Sequence, residues 1–221
     1  MTSAQIAQGW FHSAENPTRC AEQAIARLER AELITRRTLE AHPIQDLTRP
    51  LFAWKPGMPD PSERRLAGLA KSTRGRWSQN HLPAEVLFAT RRASALFGAF
   101  TDARNPQHFE ATHDLHLTEV YLRYRRKHPQ LAACWLGEAA FPKLGFVIPR
   151  MKDPDVFLID RQGRAKRIIE FAGSYDAEHL RAFHEHCAGG AAARLADNGW
   201  NESDNPFARL YQPAGTSYEL W

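Results

Sequence analysis

The stretch Thr18-Arg-Cys-Ala-Glu-Gln-Ala-Ile-Ala-Arg-Leu-Glu-Arg30 sets Ala21, Ala24, Ile25 and Leu28 at i, i+3, i+4 and i+7. That spacing is one apolar face of a helix. The other face carries Arg19, Glu22, Gln23, Arg27 and Arg30. Upstream, Thr2 and Ser3 are good caps for a short helix from Ala4 to about Phe11, which His12 to Thr18 interrupts. A short helix, a turn and a longer helix with an arginine-bearing outer face predict a helix-turn-helix. Ile34-Thr-Arg-Arg-Thr-Leu39 reads as a strand, Pro43 to Pro50 as a loop, and Leu51-Phe-Ala-Trp54 as a second strand. A helix pair followed by a hairpin predicts a winged helix over residues 1–60. Its second helix would lie in the major groove of duplex DNA. Arg19, Gln23, Arg27 and Arg30 are then the candidate contacts on the helix. Arg36, Arg37 and Arg49 are candidates for phosphates, which supply affinity without reading sequence. A winged helix ordinarily has one more helix before this pair, so the module is expected to be minimal or completed from elsewhere. Small helix-hairpin modules also mediate protein contacts, and Glu22, Glu29 and Glu32 offset the arginines here.

The charge distribution agrees with a nucleic-acid partner. The 221 residues carry a net charge of +4, of which residues 1–107 hold +5 and residues 108–221 hold −1. One half is thus suited to a polyanion and the other is not. Hydrophobic residues make up 43% of the chain, enough for a core, so wholesale disorder is excluded. No apolar run reaches the roughly 18 residues that span a bilayer, and the N-terminus lacks a signal-peptide pattern. The expectation is a cytoplasmic protein without a membrane partner. Cys20, Cys134 and Cys187 are odd in number, far apart and in no CxxC pair, so a disulfide framework is not expected.

Residues 61–107 read as a basic helical connector. Ser62 caps a helix with Leu66, Leu69 and Ala70 on one face and Arg64, Arg65, Lys71, Arg74 and Arg76 elsewhere. Ala84 to about Ala95 reads as helix or strand–helix, and Thr101 to Gln107 as the boundary loop.

Residues 108–221 read as an α/β domain with the order α-β-β-β-α-β. The elements are a helix over His113 to Lys127, strands at Leu131–Leu136, Val156–Ile159 and Arg167–Phe171, a helix capped by Asp176, and a last strand at Ser217–Trp221. Asp155 opens one strand and Glu170 nears the end of the next, so a hairpin brings both to one sheet edge. Glu138 and Glu119 are further acids that could join them. Paired carboxylates of this kind hold Mg²⁺ or Mn²⁺ for phosphodiester hydrolysis. The candidate metal ligands are therefore Asp155, Glu170 and Glu138, and the candidate catalytic acids Asp155, Glu170 and Glu119. The alternative is structural: Asp155 caps a turn, and Glu170 pairs with Arg167 or Arg181. His113, His116, His184, His186 and Cys187 follow no zinc-site spacing and are expected to serve as hydrogen-bonding residues. Tyr175, His179 and His184 are candidates to line the cleft of Glu170.

Pro154-Asp155, fifteen residues, then Glu170, with the α-β-β-β-α-β order, resembles the PD-(D/E)xK nuclease signature. The resemblance implies a restriction-endonuclease-like fold. The lysine it implies two residues after the second acid falls at Ala172. Lys143, Lys152 and Lys166 are the lysines that would have to replace it. The whole chain is also similar to the bacterial replication-relaxation family, on the winged helix, on His113-Asp-Leu-His-Leu-Thr-Glu-Val120 and on Pro154-Asp155 to Glu170. That resemblance implies a winged helix before a nuclease-like domain, acting in replication or transcription control of plasmids or mobile elements. The expected class is α+β, and the expected function is duplex DNA binding, with homodimers reading paired half-sites and a degenerate nuclease-like domain. A metal-dependent endodeoxyribonuclease and a protein-interaction adaptor are the alternatives from other classes.

Overall fold

The computed structural model describes residues 1–45, 47–97, 108–140, 153–200 and 208–221, without the side chains of residues 108–110 and 139. The boundary loop expected at Thr101–Gln107, and Lys143 and Lys152, lie outside these. The order is α1 (Ser3–Trp10), α2 (Pro17–Arg30), β1 (Ile34–Ala41), β2 (Phe52–Trp54), α3 (Glu63–Arg76), β3 (Leu82–Ala89), α4 (Arg91–Phe97), α5 (His108–Lys127), α6 (Pro129–Ala132), β4 (Trp135–Gly137), β5 (Val156–Ile159), β6 (Ala165–Glu170), α7 (Ala177–Glu185), a π-turn (His186–Gly190), α8 (Ala191–Asp197) and β7 (Tyr218–Leu220). The fold is mixed α+β. Among the described residues no helix is long and apolar enough to cross a membrane.

The chain divides into two units, each made of two segments. The first comprises Met1–Asp46 and Gln79–Pro129, the second Leu47–Ser78 and Gln130–Trp221. These limits do not coincide with the expected boundaries at 60 and 107. The reason lies in the strands. The expected hairpin between Ile34–Leu39 and Leu51–Trp54 does not form. Instead β1 pairs antiparallel with β3 over eight residues, from Ile34↔Ala89 to Ala41↔Leu82. β2 pairs antiparallel with β7, Phe52 against Leu220 and Trp54 against Tyr218. In sequence, the second unit's first segment, Leu47–Ser78, thus falls between the two strands of the first unit's ribbon, and its second segment, Gln130–Trp221, follows the first unit.

In the first unit, α1 carries a capping box in which the Thr2 hydroxyl accepts from the Gln5 amide and the Gln5 side chain accepts from the Thr2 N–H. The buried Gln5 amide also donates to the Leu115 carbonyl at 2.8 Å, which fixes α1 on α5. Gly9 permits close approach there, since a Cβ would stand 2.6 Å from Leu122 Cδ2. α2 begins one residue earlier than expected: Asn16 caps it and Pro17 occupies the first turn. Ala41 and Val86 of the ribbon pack with Leu115 of α5, flanked by Ala84 and Phe88. The helix expected from His113 begins at His108, and Ala111, Leu115 and Leu122 face its core.

In the second unit the sheet runs β2-β7-β6-β5-β4. β4, β5 and β6 form an antiparallel meander, and β7 returns parallel to β6 after α7 and α8. Gly163 closes the β5–β6 turn at φ +77°, where a side chain would be strained. β4 is shorter than the strand expected at Leu131–Leu136, because Pro129 starts the helical turn α6 instead. One layer of core joins Trp54, Phe157, Ile168, Phe183, Leu195 and Tyr218. Another joins Leu66, Leu69 and Ala70 of α3 to Ala172, Leu180 and Leu220. Ser62 caps α3 as expected, its hydroxyl accepting from the Arg65 amide. The helix that packs on this sheet's unit is therefore α3, and the expected one, α5, belongs to the first unit.

Candidate functional site

α2 buries Ala21 and Ile25 and exposes Arg19, Gln23, Arg27 and Arg30. At 3.6 residues per turn these four project within roughly 80° of one another. Glu22 and Glu29 lie on a flank of the same helix and are drawn onto Arg36 of β1. Arg36 donates to Glu22 at 2.9 Å, to Glu29 at 2.8 Å and to Glu85 of β3 at 2.7 Å. The bond to Glu22, followed by those to Glu29 and Glu85, holds the guanidinium above its ordinary range and so permanently charged. Arg36 was expected to meet phosphate; its donors are instead committed to three carboxylates. It locks β1 to α2 and to β3. Glu22 and Glu29 are legible in the sequence as offsetting acids, but their target is set by the ribbon's packing. Arg37 is exposed on the next position of β1.

The C-terminus of α2 is braced separately. Glu32 adopts φ +58°, Leu33 N–H returns to the Leu28 carbonyl, and the Thr90 hydroxyl donates to the Glu32 carbonyl at 2.6 Å. This ties the helix end to the start of α4, so α2 is presented on a fixed support.

In the second unit the β5–β6 register, with Val156 opposite Ile169, brings Asp155 and Glu170 to the same edge. What the carboxylates do there is explicit. Asp155 Oδ2 accepts from the Phe171 N–H at 2.6 Å. Glu170 is 5% exposed. Its Oε1 accepts from the Tyr175 hydroxyl at 2.5 Å and its Oε2 from the Asp155 N–H at 3.3 Å. Burial, then the neighbouring Glu170 and Asp155 charges, push the Tyr175 phenol up. The phenol therefore stays protonated and donating. Trp77 stands edge-on to Phe171 at 5.8 Å, and the Arg76 guanidinium lies 5.9 Å from the same ring.

Backbone and phenol hydrogen-bond donors thus meet oxygens of both carboxylates. Glu138 is exposed and meets Asp155 through its backbone N–H, which donates to the Asp155 carbonyl at 3.1 Å. Among the described residues no group of three His, Cys, Asp or Glu side chains is placed to hold a metal ion, and Asp155, Glu170 and Glu138 do not form one. Glu119 belongs to the first unit, where Gln5 donates to it at 3.4 Å and Arg126 stands at 3.7 Å. Ala172 is fully buried between the sheet and α3, so its position offers no cation. The expected arginine partners of Glu170 are also engaged elsewhere. Arg167 binds Glu219 at 2.6 Å, and Arg181 binds Glu63.

The histidines serve as hydrogen-bonding residues. Buried His116 makes a 2.7 Å Nδ1 contact with the Thr112 carbonyl, and its Nε2 accepts from the Gln45 N–H at 3.2 Å. That pair of partners fixes the neutral tautomer with the proton on Nδ1. His184 does not reach Glu170 as expected. It bridges the Tyr218 hydroxyl and Asp60, both at 3.1 Å, beneath Trp54. His179 does stack on Tyr175, at 6.1 Å. No local pattern announces the Asp60–His184–Tyr218 chain, because it joins a loop, a helix and the last strand.

The chain matches no protein-family model, no curated protein and no solved structure.

Proposed function

We propose that the first unit binds duplex DNA through the outer face of α2 and that the second unit is a nuclease-like α/β fold without hydrolytic activity. One observation carries the DNA reading. Arg19, Gln23, Arg27 and Arg30 share one exposed arc, while the acids of the same helix are withdrawn onto Arg36. The withdrawal leaves the arc cationic, as a phosphate-tracking face requires. In this reading α1 and α2 are the helix-turn-helix and β1–β3 is the wing. The helix missing before the pair is supplied by α5, which packs on α1 and β1.

The second half rests on the sheet. A β4-β5-β6 meander followed by helix and a β7 parallel to β6 is the strand order that the PD-(D/E)xK resemblance implies. Its two acids are juxtaposed, yet both are hydrogen-bond acceptors for the protein itself, and no lysine follows them. The surviving pair braces the hairpin. A DNA-binding role in plasmid or mobile-element maintenance follows from the replication-relaxation resemblance, with cytoplasmic location and paired half-sites read by a homodimer.

The endonuclease remains the second reading, favoured by the Asp155–Glu170 juxtaposition alone. A native gel of supercoiled plasmid, titrated with protein with and without Mn²⁺, separates the two. A mobility shift without nicking is expected. Nicking that needs both Mn²⁺ and Asp155 would establish the enzyme, and no shift at low salt would overturn the DNA reading in favour of an adaptor.

A further inference from the structure

The second unit carries a cleft of about 490 Å³ at the turn end of the β5–β6 hairpin, opposite the end that holds the acid pair, lined by that turn and by Gln130 and Leu131 of α6. Its volume lies within the range of small-molecule sites. Leu131, Leu158 and Ile159 supply apolar wall. Gln130 and Gln162 each add an amide, which offers donors and an acceptor together. The charged lining is unbalanced. Asp160 is spent on its own loop, accepting from the Gln162 and Arg164 amides at 2.9 Å and from Arg164 Nε at 3.3 Å. Arg167 is spent on Glu219. Arg161 and Lys166 are exposed, and among the described residues neither has an acidic partner.

Two uncommitted cations beside an apolar wall select an amphipathic anion. An inorganic phosphate would satisfy the cations but leave the wall wet. A fatty acid would cover the wall but make no use of the two exposed glutamine amides. A nucleotide has an anionic group for Arg161 and Lys166, a flat face for the leucine and isoleucine wall, and a hydrogen-bonding edge for the glutamines. An arginine beside such a site also stacks on bases. We infer that this cleft binds a single nucleotide unit, its phosphate on Arg161 and Lys166 and its base against Leu131 and Ile159. The inference is independent of duplex binding by α2. The unit has two sources, a free mononucleotide or an unpaired nucleotide within a DNA strand.

The test is calorimetric titration of the full chain with dAMP, dGMP, dCMP and TMP, with single-stranded dT₁₀, with inorganic phosphate and with decanoate. The Arg161→Ala/Lys166→Ala and Leu131→Asn variants are titrated in parallel. Both cations are exposed, so the double variant is expected to fold, and an unchanged melting temperature verifies it. Saturable binding of a mononucleotide or of dT₁₀ is expected. The double variant should weaken it roughly tenfold or more, as loss of charge-assisted contacts does. Leu131→Asn should weaken nucleotide but not phosphate. Binding by dT₁₀ alone assigns the strand as the source, and binding by mononucleotide alone assigns the free ligand. Phosphate binding as tightly as nucleotide, decanoate binding without nucleotide, or no binding of either nucleotide form at low salt each overturns the inference. Unchanged duplex affinity in the double variant shows that the two sites fail or succeed separately.

Discussion

Replacing Asp155 by Ala is expected to destabilise the second unit, and replacing it by Asn is expected to restore most of the loss. The Phe171 N–H points at Asp155 Oδ2 from 2.6 Å. Phe171 is 1% exposed and Asp155 is half-buried, so water replaces the lost acceptor only in part. An orphaned buried donor costs about 1–3 kcal/mol, and a charge-assisted bond sits toward the upper end. Asn keeps one side-chain oxygen of the same reach, loses the charge and turns the second oxygen into an amide donor. In a unit of this size each kcal/mol moves the melting temperature by several degrees. Calorimetry in EDTA and in millimolar Mn²⁺ reads both questions together. The expected order is wild type, then Asn, then Ala, with the same spacing in both buffers. A metal ligand behaves otherwise: Mn²⁺ raises the wild-type melting temperature, and Asn loses that rise as completely as Ala. Equal losses for Asn and Ala, or a shift below about 1 °C for Ala, would refute the brace.

Three further predictions address the surrounding architecture. Burial raises the phenols of Tyr175, Tyr211 and Tyr218. The folded state then holds their protons more tightly than the unfolded chain. Stability should be full below about pH 10 and fall as pH rises beyond it, with a shallower fall in Tyr175→Phe, measured by urea titration at several pH values. Gly189→Ala should cost more than 2 kcal/mol, as strained backbone and a clash together do: Gly189 holds φ +116° and a Cβ would stand 2.8 Å from the Pro213 carbonyl oxygen. Circular dichroism melting would show it, and an unchanged melt would contradict the π-turn geometry. At Glu32, with φ +58°, Gly should be tolerated within about 1 kcal/mol while Val should destabilise by about 1–2 kcal/mol, again by urea titration. Equal effects would mean that the left-handed turn is not required.

Local chemistry was legible, and long-range pairing was not. The α2 face, the Ser62 and Asp176 caps, and the β5–β6 turn were readable because each is decided within a few residues. The same turn brought Asp155 and Glu170 together as the spacing implied. The expected pairing of Ile34–Leu39 with Leu51–Trp54 does not form, because a three-residue strand such as Phe52–Trp54 says nothing of its partner, and Tyr218–Leu220 lies far along the chain. β1 found its mate in Leu82–Ala89, whose alanines and glutamate read as readily as helix. With that exchange α3 falls in the second unit and α5, which carries Glu119, in the first. The three carboxylate partners of Arg36 were not legible for a related reason: charge in a sequence does not reveal which acids a packed ribbon brings to it. The roles of Tyr175 and Phe171 depend on hydrogen bonds across a sheet edge, which spacing alone does not specify.

The salt dependence of duplex binding tests the central claim most directly. Affinity of a fluorescent duplex should be measured by anisotropy across monovalent salt for wild type, Arg27→Ala/Arg30→Ala and Arg36→Ala. Each lost phosphate contact lowers the slope of log K against log salt by roughly 0.9. The double variant should therefore lose up to about 1.8 in slope, while Arg36→Ala, which removes the partner of Glu22, Glu29 and Glu85, should weaken binding with its slope unchanged. A wild-type slope near zero, or a double variant identical to wild type, would contradict a DNA-binding face on α2.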